Sequence, residues 1–297
     1  MIRKVNQLWQ HQHWGIGLVR NPIGCFLDPA FNPDIEWFSA PTFAADPFPV
    51  THNGRTAVLY EEFDYRSHRG RISAVEIEDA GFTRVYRNVI EDEHHFSYPF
   101  CLHVDNELYC IPEHHESNRL AAWRCLRFPD RWVPDRVLLD GVPIVDPTIF
   151  HDDEFWWLGC ARQDRGPNSR FWLYFSDSPL GPWHEHSAQP VREGSCGTRP
   201  AGPVFEHAGH RYRPTQDCSK AYGGAIVLQR IEVLNRREYR EVSVGRIEGF
   251  AASPYPRGTH HIAGAGDLTL IDGCRHVYSP HETAFVLRRW GRRLLGI

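Results

Sequence analysis

The sequence predicts an all-β fold: one domain over residues 1–297, a five-bladed β-propeller with four-stranded antiparallel blades around a central funnel. Three observations lead there. Aromatic content is 13%, with 10 Trp and 11 Tyr beside 24 Gly and 22 Pro, a balance that suits short strands and tight turns better than helices. A unit made of an apolar lead-in, one polar or aromatic residue, proline and a short strand recurs at Pro47, Pro99, Pro147 and Pro200, so the prolines stand 52, 48 and 53 residues apart. That is close to the period of a propeller blade. Finally, each unit is followed by a turn and a second strand.

The first strands are FAADPFPV, HFSYPFCLHV, PIVDPTIF and GTRPAGPVF, and GTHHIAGAGDLTLIDG is a fifth unit that has lost its proline. Second strands follow in HNGRTAVLYEEF, VDNELYCIPEHH, HDDEFWWLGCAR, EHAGHRYRPTQD and IDGCRHVYSPHE. Asn-Gly, Asp-Asn, Asp-Asp, Ala-Gly and Asp-Gly are read as the hairpin tips. Third strands are expected in RISAVEI, LAAWRCLRF, FWLYFS, AIVLQRI and AFVLRRW, and fourth strands in TRVYRNVI, DRVLLDG and EVSVGRIEG. The early segment WGIGLV is expected to close the ring by pairing in the last blade, since closure leaves fewer open sheet edges. Residues 229–239 read as a strand entering a turn or as a short helix.

Equivalent positions of successive blades face one funnel, so the repeat also predicts a site. The residues before the prolines, Asp46, Tyr98, Asp146 and Arg199, should form a ring completed by His260 or His261. A residue before proline is expected to be extended, which would fix its direction. Second-strand ends add Glu61 or Glu62, Glu113, Arg162, Gln216 with Asp217, and His281. Asp-Pro is also a common turn starter, and Arg199 could simply bridge an inner carboxylate. Two Asp-Pro pairs at matching places nonetheless favour a task for Asp46 and Asp146. Glu113, at the end of the apolar run YCIPE, needs a partner or a role.

Charge and composition exclude other classes. With 33 Lys+Arg against 37 Asp+Glu and a formal net charge of −4, nothing favours a nucleic acid or an anionic membrane as partner. No stretch is apolar enough to span a bilayer, the first residues lack a signal-peptide pattern, and the eight cysteines are scattered, so a cytoplasmic protein with free thiols is expected. The pairs His94-His95, His114-His115 and His260-His261 lack tetrahedral ligand spacing, so contacts to substrate are expected there, with no metal and no cofactor.

The segments around Asp46 and Asp146 resemble the corresponding strands of family 43 glycosidases and related five-bladed propeller enzymes. That resemblance implies Asp46 as catalytic base and Asp146 as the residue that tunes and orients the acid. Where the family supplies its general acid, this chain has Thr198-Arg199-Pro200. SYPFCLHVDNELYCIPE, RPAGPVFEHAGHRYRPTQDCSKAYGG and EYREV are similar to a propeller domain found beside glycosyltransferase and formyltransferase-like domains, implying a role in glycan assembly.

The leading expectation is a carbohydrate-active enzyme that cleaves or transfers a glycosyl unit through paired carboxylates. Asp46 would be base or nucleophile and Glu113 the substitute acid, its pKa raised by burial, with Asp217 in reserve. His95, Tyr98, Arg199, Gln216 and His261 would hold the sugar. The alternatives are a sugar-binding module that guides partner glycan-assembly enzymes, and a glycosyltransferase.

Overall fold

The computed structural model describes residues 11–40 and 42–295, with side chains through residue 288. Residues 1–10, most of the segment read above for a leader, lie outside the described residues. The chain forms five antiparallel sheets arranged as the blades of a propeller. In the first blade the strands Phe43–His52, Arg55–Asp64, Arg69–Glu78 and Gly81–Ile90 pair in sequence order. The second blade repeats this with Ser97–Val104, Glu107–Glu113, Arg119–Arg127 and Arg131–Asp140. The third is built on Ile144–His151, Trp156–Arg162 and Arg170–Ser176, and two short strands, His184–Glu185 and Arg192–Glu193, share its outer edge. The fourth runs Cys196–Pro200, His210–Asp217, Ala225–Leu234 and Tyr239–Glu248, with Phe205–His207 added beside its second strand.

The fifth blade closes the ring in the manner expected. Its inner strands Ile262–Ala265 and Leu268–Val277 are joined by His11–Val19, which pairs along its whole length with the second of them, and then by Glu36–Trp37. The hairpin tip here lies between Ala265 and Leu268, so Asp272-Gly273 is mid-strand and not a turn. Nor is AFVLRRW a strand: it belongs to a helix, Pro280–Leu295. The reason is local. Ser279 caps the helix, its Oγ accepting the Glu282 N–H at 3.3 Å, Pro280 occupies the first helical position and Glu282 stands third, a start signal that overrides the β-like run after it.

Apolar side chains from adjacent blades fill the spaces between sheets. Phe48, Tyr98, Ile111, Ile149 and Leu158 form one such cluster, and Leu59, Ile72, Ile90, Phe96 and Cys110 another. All eight cysteines are free. Among the described residues no helix is long and apolar enough to cross a membrane.

One backbone feature departs from the sequence reading. Asp46, Tyr98 and Asp146 are not extended; their φ values are +50°, +46° and +50°. Each sits at a register shift between the two inner strands of its blade, so the repeated X-Pro unit is a bulge that turns a side chain and an amide toward the axis. Left-handed backbone at non-glycine residues costs of order 1–3 kcal/mol each and persists where the surroundings impose it, commonly at functional sites.

Candidate functional site

The bulges stitch the blades together through polar contacts at the axis. Tyr98 donates its N–H to Asp46 Oδ2 at 3.2 Å, and Asp146 donates its N–H to Glu113 Oε2 at 3.0 Å. Arg199 grips Asp146 through two nitrogens, Nε at 2.6 Å and a terminal nitrogen at 3.2 Å, and its guanidinium lies 5.0 Å from the Tyr222 ring centre. On the other side of Asp46, His260 Nε2 approaches Oδ1 at 3.3 Å while its Nδ1 lies 2.6 Å from Asp272 Oδ2. Asp272 Oδ1 also accepts the N–H groups of His260 and His261. Residues from all five blades thus meet at one axis, as the repeat predicted.

Above this floor opens a cavity of about 380 Å³, lined among others by Trp14, Asp46, Glu61, His95, Glu113 and Arg199, a volume within the range of small-molecule sites. Phe43, Phe63, Tyr65 and Tyr222 add aromatic walls, and Glu282 reaches it from the C-terminal helix.

Several predicted residues lie elsewhere. Tyr98 and His261, 1% and 0% exposed, are sealed beneath the floor; the Tyr98 hydroxyl is spent on Thr148 and on the Gly202 N–H. Gln216 is buried behind Asp146, donating to Pro200 O and Asp146 Oδ2. Asp217 faces away from the cavity, accepting from Ser219 N–H and from Arg246. Arg162 pairs outward with Asp164, and His281 sits on the helix beside a separate cavity. Glu62 points into the blade, to Ser73, Thr42 and Arg87. Its neighbour Glu61 is the funnel residue.

Electrostatics redistribute the expected roles. Burial raises Glu61 well above the usual carboxylate range, helped by the charges of Asp46 and Glu113. Burial also raises Asp46, and although His260 opposes it, Asp46 reaches about 6. Glu113 behaves in the opposite way: burial would raise it, but the His115 hydrogen bond at 2.8 Å and the Arg199 guanidinium hold it at about 2. Glu113 is therefore a permanent carboxylate, not the proton donor expected of it. Asp217, also expected as an acid in reserve, is held at about 2 by Ser219 and Arg246 against its burial. Arg199 stays protonated because Asp146 outweighs the cost of burial. His95, lowered by burial, is neutral; its Nδ1 accepts the Gly70 N–H, so the proton sits on Nε2, 3.5 Å from Glu61 Oε1.

Sequence reasoning missed Asp272, because Asp-Gly was read as a turn, and the aromatic walls, for which Trp14 in the ring-closing strand was the available signal. Asp46, His260 and Asp272 place potential ligand atoms within 4.8 Å of one another, and against the burial that lowers it, the two aspartates raise the pKa of His260.

Residues 21–253 match the family model described as glucosamine inositolphosphorylceramide transferase 1, N-terminal. The chain belongs to this family. A relative from Oryza sativa subsp. japonica, named glucosamine inositolphosphorylceramide transferase 1, is 35% identical over 250 residues, which cover 78% of this chain and 33% of the relative. The chain thus spans about a third of the length of the curated relatives it matches. Among solved structures, a family 117 glycoside hydrolase from Zobellia galactanivorans superposes with a TM-score of 0.55 at 11% identity, covering 90% of this chain and 91% of that one. A family 43 β-xylosidase/α-arabinofuranosidase from a compost microbial metagenome gives 0.54 at 12% identity, covering 80% and 91%. These likenesses establish the five-bladed fold; the curated relatives are named as transferases, whereas the two solved structures are glycoside hydrolases.

Proposed function

We propose that the funnel binds an amino-sugar unit during glycan assembly, in the setting of glycosyl transfer to an inositol phospholipid that the relatives' names join. The observation that carries this reading is the chemistry of the cavity. Asp46, Glu61, Glu113 and Glu282 converge on it, while Arg199 is already committed to Asp146. Carboxylates beside aromatic faces suit a sugar carrying an ammonium group, through charge-assisted hydrogen bonds and stacking. Glu113, already ionised, would be the standing acceptor. Asp46 and Glu61 would release protons as the cation enters. A partner glycan-assembly enzyme would supply transfer.

The test is calorimetric comparison of a glucosamine glycoside with the matching glucose and N-acetylglucosamine glycosides. The free amine is expected to bind at least about 10-fold more tightly, the scale of one hydrogen bond to a charged group. Affinity should rise with pH through about 6 as Asp46 ionises, and protons should be released on binding. Glu113→Gln should remove most of the preference, and Asp46→Asn its rise with pH through about 6. Equal binding of all three sugars would overturn the reading.

A second reading rests on Asp46 and Glu61 as two carboxyl groups of raised pKa in one cavity. Glycoside hydrolysis requires one protonated and one ionised carboxyl, and at neutral pH Asp46, at about 6, would be ionised to activate water or attack the anomeric carbon while Glu61, raised further, would protonate the leaving oxygen. Turnover of aryl glucosaminides that disappears in both Asp46→Asn and Glu61→Gln would favour it.

A further inference from the structure

Asp92 and His94, between the first and second blades, meet His114, which follows the strand Glu107–Glu113, in a cluster that the funnel chemistry does not use. Asp92, His94 and His114 bring potential ligand atoms within 4.8 Å of one another. Asp92 Oδ1 lies 3.1 Å from His94 Nδ1, and Asp92 Oδ2 lies 3.3 Å from His114 Nε2. Donors held about 2.0–2.1 Å from a tetrahedral zinc are separated by about 3.3 Å along each edge, and each histidine nitrogen stands at about that distance from one oxygen of the Asp92 carboxylate.

The second observation is the state of His114. It is 8% exposed and stacked on Phe96 with ring centres 4.3 Å apart and planes 12° from parallel, which fixes its orientation. Ser117 Oγ stands 3.1 Å from His114 Nδ1 and holds the ring from its other side. His114 Nε2 is buried without a hydrogen-bond partner and is turned toward the Asp92 carboxylate, 3.3 Å from Oδ2. Imidazole nitrogens with one carboxylate suit zinc-like ions rather than calcium or magnesium, and the contact between Nδ1 and Ser117 Oγ is the kind of support that orients a metal-binding histidine.

We propose that Asp92, His94 and His114 bind a divalent transition ion of the zinc type, with water completing the tetrahedron. The ion would clamp two rim segments whose next residues are the funnel side chains His95 and Glu113. It would add to the existing tie between them, the His95 N–H donated to Glu116 Oε2 at 2.8 Å.

The test uses the untagged full chain, stripped with a chelator and titrated with zinc against a chromogenic competitor, and with cobalt(II) followed by absorption. One equivalent is expected to bind, giving a visible tetrahedral cobalt band without the charge-transfer band of a thiolate. His114→Gln and Asp92→Asn should each weaken binding by at least about 10-fold, with unchanged circular dichroism showing that both variants fold. Undiminished binding in both variants would overturn the proposal. So would loss of binding in Asp272→Asn alone, which would locate the ion at the funnel floor, or the absence of saturable binding at micromolar zinc.

Discussion

Glu61 and Glu113 occupy the same place in successive blades, yet the fold leaves one neutral and makes the other an anion. Each lies near the end of a second strand, opposite the residue that precedes the bulge: Glu61 pairs with Ala45 and Glu113 with Ser97. Each is buried and lines the same cavity. Glu61 meets a neutral imidazole, His95, at 3.5 Å, and burial keeps its proton on. Glu113 meets His115, the Asp146 N–H and the field of Arg199, and loses its proton. The repeat therefore decides which side chains converge, and the residues that differ between blades decide what they do. Burial alone makes a weak acid; a cationic neighbour turns the same group into a fixed anion.

The largest effect should come from removing the cation that separates the two. Arg199→Ala leaves Glu113 without a counter-charge in a buried site, a change that typically costs about 3–5 kcal/mol, and leaves Asp146, which burial pushes well above the usual carboxylate range, without its two-nitrogen partner. Urea unfolding at neutral pH measures it. Arg199→Lys should recover only part, because one ammonium cannot reproduce the two-nitrogen grip on Asp146. A loss below about 1 kcal/mol would mean that this pair is no more than a surface-type bridge, and the contrast between the two glutamates would need another cause.

Next in size is Glu113→Gln. A carboxyl shifted from 4.5 to about 2 corresponds to about 3 kcal/mol of stability, at 1.36 kcal/mol for each pH unit. Since the folded pKa is depressed, that contribution is present above the unfolded value and is lost as pH falls toward about 2. Wild type and variant should differ most at neutral pH and converge in acid. Parallel stability curves from pH 7 to pH 2 would refute the assignment.

Much of this was legible in the sequence and part was not, for identifiable reasons. The repeat placed Asp46, Tyr98, Asp146 and Arg199 in one ring because spacing in a propeller is geometry. It left their depth open: Tyr98 and His261 share the ring but lie under the floor, and only packing distinguishes a side chain above the floor from one below it. Left-handed backbone at Asp46 and Asp146 was hidden because the rule for residues before proline favours extended structure, and the bulge that overrides it is a property of strand pairing. The C-terminal helix was readable, since Ser279-Pro280-His281-Glu282 is a start signal, but the β-like run after it was weighed instead. EYREV, which carried the family resemblance, is a structural element away from the funnel. Its Glu241 takes two hydrogen bonds from the buried Arg213 of RYRPTQD, at 2.6 and 2.9 Å.

The smallest effect is expected where the comparison is most exposed to failure, at Glu61. Because burial keeps its carboxyl neutral in the folded protein, Glu61→Gln exchanges one neutral group for another of nearly the same shape. Below the unfolded value of about 4.3, where Glu61 is protonated in both states, the two proteins should unfold within about 1 kcal/mol of each other, the scale of one neutral hydrogen bond. The pH dependence then separates them with a defined sign. A raised folded pKa means that the native state holds a proton the unfolded chain has released. Wild-type stability should therefore fall, relative to the variant, as pH rises above the unfolded value of about 4.3, by up to 1.36 kcal/mol per unit. The fall should cease once the native carboxyl ionises. This is the reverse of the behaviour expected at Glu113. If Glu61→Gln instead loses stability relative to wild type as pH rises, Glu61 is ionised in the fold, and the two glutamates are alike after all.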